Sequence, residues 1–386
     1  MRLLLLSIEF PPGPGGLGTL AYQIAWHLTG IGWEVAVSTL QDHADSLTVE
    51  RFNVAQPFAV LRLGRVEPPV LEGILRLGKA MQIVRRSRPD IVLAVGKQAV
   101  WLGAMLSPLT RIPFVAVGGG SEFLANRGME RAFTRWAFGR ARCVVAISRY
   151  TRDLIAAMGI APCLTRIVPC GADADRYRPG LPVYPLRVQL GLGDARVILT
   201  VGQLSERKAQ DVVIRALPRI LQECPNAMYL LVGLPTVKPR LERLASELGV
   251  DDHVVFLGPV PTEELPCYYN LADLFVLVSR RTTSEVEGYG IAVVEAALCG
   301  TPAVVSRNCG LVEAVVEDET AVVVNPDDPE ATGEAIIRLL LDDALRRRMG
   351  QAAYHHATEN ASWRKRIQEY DVILRSLVLG EDVCTC

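Results

Sequence analysis

Short runs of β-branched and other apolar residues alternate with longer amphipathic stretches along the whole chain. A strand buried on both faces reads as a near-continuous apolar run, whereas a covering helix repeats its apolar residues every three or four positions. The first half has strand candidates near 2–8, 33–39, 90–95, 113–118, 142–147 and 164–168. Helical stretches lie between them near 17–29, 71–88, 98–107, 127–140 and 149–158. The segment 179–185, Pro-Gly-Leu-Pro-Val-Tyr-Pro, is too proline-rich for either element and reads as a linker. The pattern then restarts, with strands near 196–201, 228–233, 253–257, 274–278, 302–306 and 320–324. From about 328 the chain is nearly all helical, and its last helix, from about Ser362 to Val378, has no strand partner in sequence. This alternation predicts an α/β protein with two Rossmann-like domains built on parallel sheets, 1–178 and 186–361, then a helix and tail at 362–386.

Length and composition agree with that division. A chain of 386 residues exceeds what one core usually organises, and 50% hydrophobic with 22% charged residues describes an ordinary globular protein. The net charge of −1 conceals an asymmetry: residues 1–180 carry 21 Lys+Arg against 13 Asp+Glu, and the remainder 20 against 29. A basic first half suits an anionic membrane surface or a phosphorylated acceptor, although uneven charge is also common on solvated surfaces. The apolar start, Met1–Ile8, ends at Glu9 and two prolines, too soon for a signal peptide, and fits a buried first strand. No stretch approaches the ~20 apolar residues of a membrane span. Nine scattered cysteines without a C-x-x-C pair indicate neither a disulfide framework nor a zinc site. The expectation is a cytoplasmic protein, peripheral on the inner face of the membrane if the basic half engages it, with no nucleic-acid partner.

Chemistry concentrates at Glu287-Gly288-Tyr289-Gly290-Ile291-Ala292-Val293-Val294-Glu295. The segment follows a predicted buried strand and opens a helix. Glycines there let the backbone approach a ligand, and free N–H groups at the helix start favour phosphate oxygens. The flanking carboxylates can accept hydrogen bonds from sugar or ribose hydroxyls. Spacing alone is equally compatible with a plain loop and an exposed helical glutamate.

Glu-x7-Glu enclosing Gly-aromatic-Gly resembles the signature of the retaining glycosyltransferases of family 4, which have the GT-B fold. Other segments resemble that family in its order: Pro12-Gly13-Pro14-Gly15-Gly16-Leu17-Gly18, Val145-Ala146-Ile147-Ser148, Val168-Pro169-Cys170-Gly171-Ala172-Asp173, Val201–Lys208 and Cys309–Ala314. The resemblance implies two Rossmann-like domains facing across a cleft, with the C-terminal helix crossing back to the first. It implies transfer of a glycosyl group from a nucleoside-diphosphate sugar to a hydroxyl acceptor, with retention, no cofactor and no metal. At the matching positions it makes Lys208 and Glu287 catalytic. Lys208, with Arg207, would neutralise the donor diphosphate; the backbone from Gly288 through Tyr289 and Gly290 to Ile291 would hold it. Glu295 would bind the ribose and Glu287 the transferred sugar, while Gly15 and Gly16 would let the first domain close over the phosphates.

Two positions depart from the family pattern. Gln203 stands where the family usually has Arg, leaving Arg207 as the substitute cation, and Gly119 stands where a His is usual, in Gly118-Gly119-Gly120-Ser121-Glu122. A catalytically silent sugar-nucleotide-binding subunit and a sugar-nucleotide epimerase are therefore the alternative readings. Two lookalikes are set aside. Gly13-x-Gly15-x-x-Gly18 is separated from the first strand by Glu9–Pro12 and lacks an acid after the second. Asp173-Ala174-Asp175 sits in a turn. Arg127, Arg131 and Arg135 recur at helical spacing with Met129, Phe133 and Trp136 between them, as on a helix lying at an anionic membrane, or on one packed over the first sheet.

Overall fold

The computed structural model describes residues 1–13, 15–41, 44–64, 69–124 and 128–381. Two compact units make up the chain: Met1–Cys170 with the helix Trp363–Leu379, and Gly171–Ser362.

The first unit holds strands β1 (Arg2–Ser7), β2 (Glu34–Gln41), β3 (Ala59–Gly64), β4 (Ile91–Val95), β5 (Phe114–Gly118), β6 (Cys143–Ala146) and β7 (Thr165–Ile167) in the order β3-β2-β1-β4-β5-β6-β7. Every neighbouring pair is parallel. Leu3 to Leu6 of β1 are buried because helices cover both faces, which is why the strand is uniformly apolar. The helix Gly16–Gly30 turns Leu20, Ala21, Ile24, Ala25 and Leu28 inward. The terminal helix Trp363–Leu379 belongs to this unit, as expected of a helix crossing back. Trp33 Nε1 donates to Asp371 at 2.6 Å, and the Arg375 guanidinium lies 5.5 Å from the Trp33 ring centroid.

The second unit holds β8 (Arg196–Val201), β9 (Ala227–Val232), β10 (Val254–Gly258), β11 (Leu274–Leu277), β12 (Ala303–Ser306) and β13 (Ala321–Val324), in the parallel order β10-β9-β8-β11-β12-β13. Strand order reverses between β1 and β4 in one sheet and between β8 and β11 in the other. Ligands of open α/β sheets bind outside the carboxyl ends of the strands at such switch points.

Three expectations are corrected. The boundary lies at Cys170, not 178, because Ala172 N donates to Ala361 O at 2.8 Å and so joins the second unit. The proline-rich segment is not a free linker. Asn270 accepts from Leu181 N at 3.3 Å and donates to Arg178 O at 3.0 Å, and a short helix, Tyr184–Gln189, begins within the segment. The scattered cysteines predict no disulfide framework, yet Cys163 is disulfide-bonded. The pattern also misses β3 and the helix Ser46–Val54. β3 is a half-exposed edge strand interrupted by Arg62, and that helix buries only Val49.

Leu374 is fully buried in the terminal helix. Leu374→Ala is expected to cost about 2–5 kcal/mol of stability, read by urea denaturation; a loss below about 0.5 kcal/mol, usual for a surface change, would show that the helix is not part of the core.

Candidate active site

Three loops at the carboxyl ends of the second sheet build the site. After β8 the chain turns at Gly202, whose φ of +144° suits glycine, and runs against Gly233. A Cβ on Gly233 would lie 2.0 Å from Gly202 O, so the two backbones touch. Buried Gln210 fixes the loop from below: its Nε2 donates to Gln203 O at 3.1 Å, and its Oε1 accepts from Ser205 N at 3.3 Å. The Lys208 stem then passes over Gly202, its Cε 3.2 Å from where a Cβ would stand.

The loop after β11 is tied to the first by Arg280, whose N–H donates to Arg207 O at 2.8 Å and whose guanidinium meets Asp211 at 2.9 Å. The loop after β12 supports it: Gly310 N donates to Glu287 O at 2.8 Å, and a Cβ on Gly310 would sit 1.9 Å from Gly288 O. Gly290, at φ +94°, opens the helix Ile291–Leu298 with no side-chain cap, leaving the first N–H groups of that helix for a ligand. Tyr289, expected to contribute its backbone, has its ring buried below the loop. A large ring beside glycines fills the core that holds the turn in position.

Lys208 Nζ and Arg207 Nη1 converge on one oxygen, Glu287 Oε2, at 2.7 and 2.5 Å. Burial pushes the Glu287 carboxyl up, but the two cations outweigh it and bring its pKa down to about 2. Burial pushes the Lys208 ammonium below the usual lysine range, against the pull of Glu287. Arg207 therefore supplies a second cation beside Lys208, while Gln203 donates from Nε2 to Thr236 Oγ1 at 2.9 Å.

Glu295 lies on the helix that Gly290 opens. Burial pushes its carboxyl up to about 7, against the hydrogen bond donated by Tyr269 at 2.7 Å. Tyr177 stands edge-on to Tyr269 with ring centroids 5.8 Å apart. Sequence reasoning did not single out Tyr269, Tyr177 or Gln210, because each acts across a tertiary contact that no local spacing marks. Cys309, which opens the Cys309–Ala314 element, lies buried beside Ser306, and burial pushes its thiol up, so it is a neutral neighbour of the charged cluster.

In the first unit, Gly15 has φ +133° and caps the helix Gly16–Gly30; a Cβ there would meet the Glu9 carboxylate, whereas nothing lies within 4 Å of one on Gly16. Both glycines belong to the first unit and are placed with its β1 loop. At Gly119 a Cβ would stand 2.8 Å from Leu17 Cδ2, so Leu17 occupies the room that a side chain would need. Gly119 N donates instead to buried Glu122 at 2.6 Å. Asp173 accepts from Asp175 N and Arg176 N at 3.1 and 3.2 Å, which gives it a turn-forming role. Among the described residues no group of three or more His, Cys, Asp or Glu could hold a metal ion.

Two parallel sheets with these strand orders, each with its loops gathered at a switch point, define a GT-B architecture. The Anabaena protein HepE, solved in complex with UDP and glucose, shares it with a TM-score of 0.83 at 22% identity, over 97% of this chain and 100% of that one. The model described as "Glycosyltransferase Family 4" matches residues 14–176, and "Glycosyl transferases group 1" matches 186–356. A GDP-mannose-dependent α-(1-6)-phosphatidylinositol monomannoside mannosyltransferase of Mycobacterium tuberculosis is 30% identical over 385 residues, 94% of each chain. The Mycolicibacterium smegmatis protein of the same name is 36% identical over 284 residues, 70% of this chain and 74% of its own. The chain belongs to glycosyltransferase family 4.

The Glu295 value gives a stability prediction. A carboxyl raised from 4.5 to about 7 on folding keeps a proton that the unfolded chain releases. Its stabilising share is present below pH 4.5 and is lost as pH rises through about 7. Glu295→Gln is expected to flatten the fall in urea-measured stability between pH 5 and about 7. An unchanged slope in the variant would place the titration elsewhere.

Proposed function

We propose that the protein transfers a mannosyl group from GDP-mannose to a hydroxyl of an inositol phospholipid, with retention at the anomeric carbon and without a metal. The observation that carries this reading is the convergence of Lys208 and Arg207 on Glu287 beside an uncapped helix N-terminus. That arrangement suits a nucleoside diphosphate, whose charge the two cations and the N–H groups of Ile291–Leu298 would balance. The names of the mycobacterial relatives support GDP-mannose as donor and a lipid-anchored phosphoinositol acceptor, presented at an anionic membrane.

In the step itself, the bond between the sugar C1 and the β-phosphate oxygen breaks as the acceptor oxygen bonds to C1 on the same face. The departing phosphate oxygen takes the acceptor's proton, leaving GDP and the glycoside. The chain's own work is electrostatic: Lys208 and Arg207 stabilise the charge that builds on the diphosphate. Glu295 accepts ribose hydroxyls, Glu287 accepts from the transferred sugar, and Gly288, Gly290 and Ile291 offer backbone. Gly16, with nothing within 4 Å of where a Cβ would stand, leaves the first unit's loop uncrowded there. Leu17 in the place of a side chain at Gly119 favours one other reading, a subunit that binds the donor without turnover.

Lys208→Ala is expected to lower turnover about 10²–10³-fold, measured with GDP-mannose and vesicles carrying phosphatidylinositol monomannoside. Nuclear magnetic resonance of the product should show the α-linkage of the donor. Turnover of the variant within about twofold of wild type would contradict the role of Lys208, a β-linked product would contradict retention, and a wild-type protein that binds GDP-mannose without turnover would favour the silent subunit.

A further inference from the structure

We propose that the helix Gly128–Gly139 of the first unit is a docking face for an anionic phospholipid bilayer. This goes beyond the donor chemistry, and none of its residues belongs to the site described above. Arg127, at the head of the expected arginine series, lies outside the described residues; the face stands without it.

Apolar groups on this helix are unusually open. Met129 is 90% exposed and Trp136 41%. Trp101, Phe133 and Trp136 form consecutive rungs, with centroids 5.2 Å apart edge-on and 5.0 Å apart stacked. Each end of that ladder carries a cation: Lys97 Nζ lies 5.7 Å from the Trp101 ring, and the Arg140 guanidinium 5.7 Å from Trp136. Amphipathic rings beside cations suit the headgroup layer, where the ring meets the acyl boundary and the charge meets phosphate.

The charge lining the groove has one sign. A groove of about 500 Å³ runs along the helix, lined by Arg135, Trp136, Arg140, Gly159, Ile160 and Leu164 among others, with no acidic residue in its lining. Arg135 lies against Gly159, where a Cβ would come within 3.1 Å of its guanidinium carbon. Arg131 donates to Ala157 O at 3.2 Å, next to the same segment. The acid of the helix, Glu130, is paired with Lys97 at 2.6 Å. Two arginines over an apolar floor complement a phosphate-bearing headgroup with its acyl chains below. A protein partner has no matching argument here, since the groove offers neither an acid nor a strand edge.

Flotation with vesicles tests the surface directly, using phosphatidylcholine alone and phosphatidylcholine mixed with phosphatidylglycerol. The full chain is expected to float with the mixed vesicles and to dissociate as salt is raised. Arg135→Gln and Arg140→Gln together should weaken that binding about 25-fold, at about fivefold for each charge. Met129→Ser, at a position too exposed to affect folding, should also weaken it, and calorimetric GDP binding should stay unchanged in all variants. Equal binding to both vesicle types, binding to neither, or variants that float like wild type would overturn the proposal. Loss of donor turnover with vesicle binding intact would instead count against the reaction assigned above.

Discussion

One carboxylate oxygen organises the second unit: Glu287 Oε2, shared by Lys208 and Arg207. Two part-buried cations side by side repel each other, and each loses hydration, so an anion between them stabilises the pair. Glu287 supplies that anion while the site is empty. To do so it has to arrive from a loop after another strand, which is why so much of the neighbourhood is backbone touching backbone: Gly202 on Gly233, and Gly310 on Gly288. The glycines fix the positions of the charges. Under the proposed function, a diphosphate entering the site would find its counter-charges already desolvated and oriented, at little cost in reorganisation when charge builds on it.

The second unit achieves this against its own net charge. Residues 171–362 carry 18 Lys+Arg against 27 Asp+Glu, so the long-range field opposes an anionic ligand. Screening limits that field to about 8 Å at physiological salt, leaving the local pair to decide. Local pairing also consumes many of the acids. Asp211 and Asp327 hold Arg280, and Asp273 and Asp343 hold Arg196. The first unit carries a positive surplus, and among the described residues the groove beside Gly128–Gly139 has arginines and no acid in its lining.

Most of the fold was legible because both sheets are parallel and covered on both faces. Val197–Leu199 and Ala303–Val305 read as unbroken apolar runs, and each is a strand within a residue or two. Elements that depend on context were not. β3 sits at an edge with Arg62 in its middle, and Ser46–Val54 buries a single side chain, so neither carries a strong period. Proline content misled at 179–185, where Asn270 anchors the backbone that composition marks as free. The site was legible where a motif carries it: Lys208, Glu287 and Gly290 all stand in the loops assigned to them. Tyr289 fits the motif yet turns into the core, and Tyr269 holds Glu295 from 26 positions away, a pairing that only the folded chain creates.

The most direct test of the shared-carboxylate account is a calorimetric titration of GDP into the protein in EDTA, repeated with magnesium. Preorganised cations predict binding in EDTA that weakens as salt rises and changes little with magnesium. Binding that requires magnesium, or no binding under either condition, would show that Lys208 and Arg207 are held by Glu287 for stability alone.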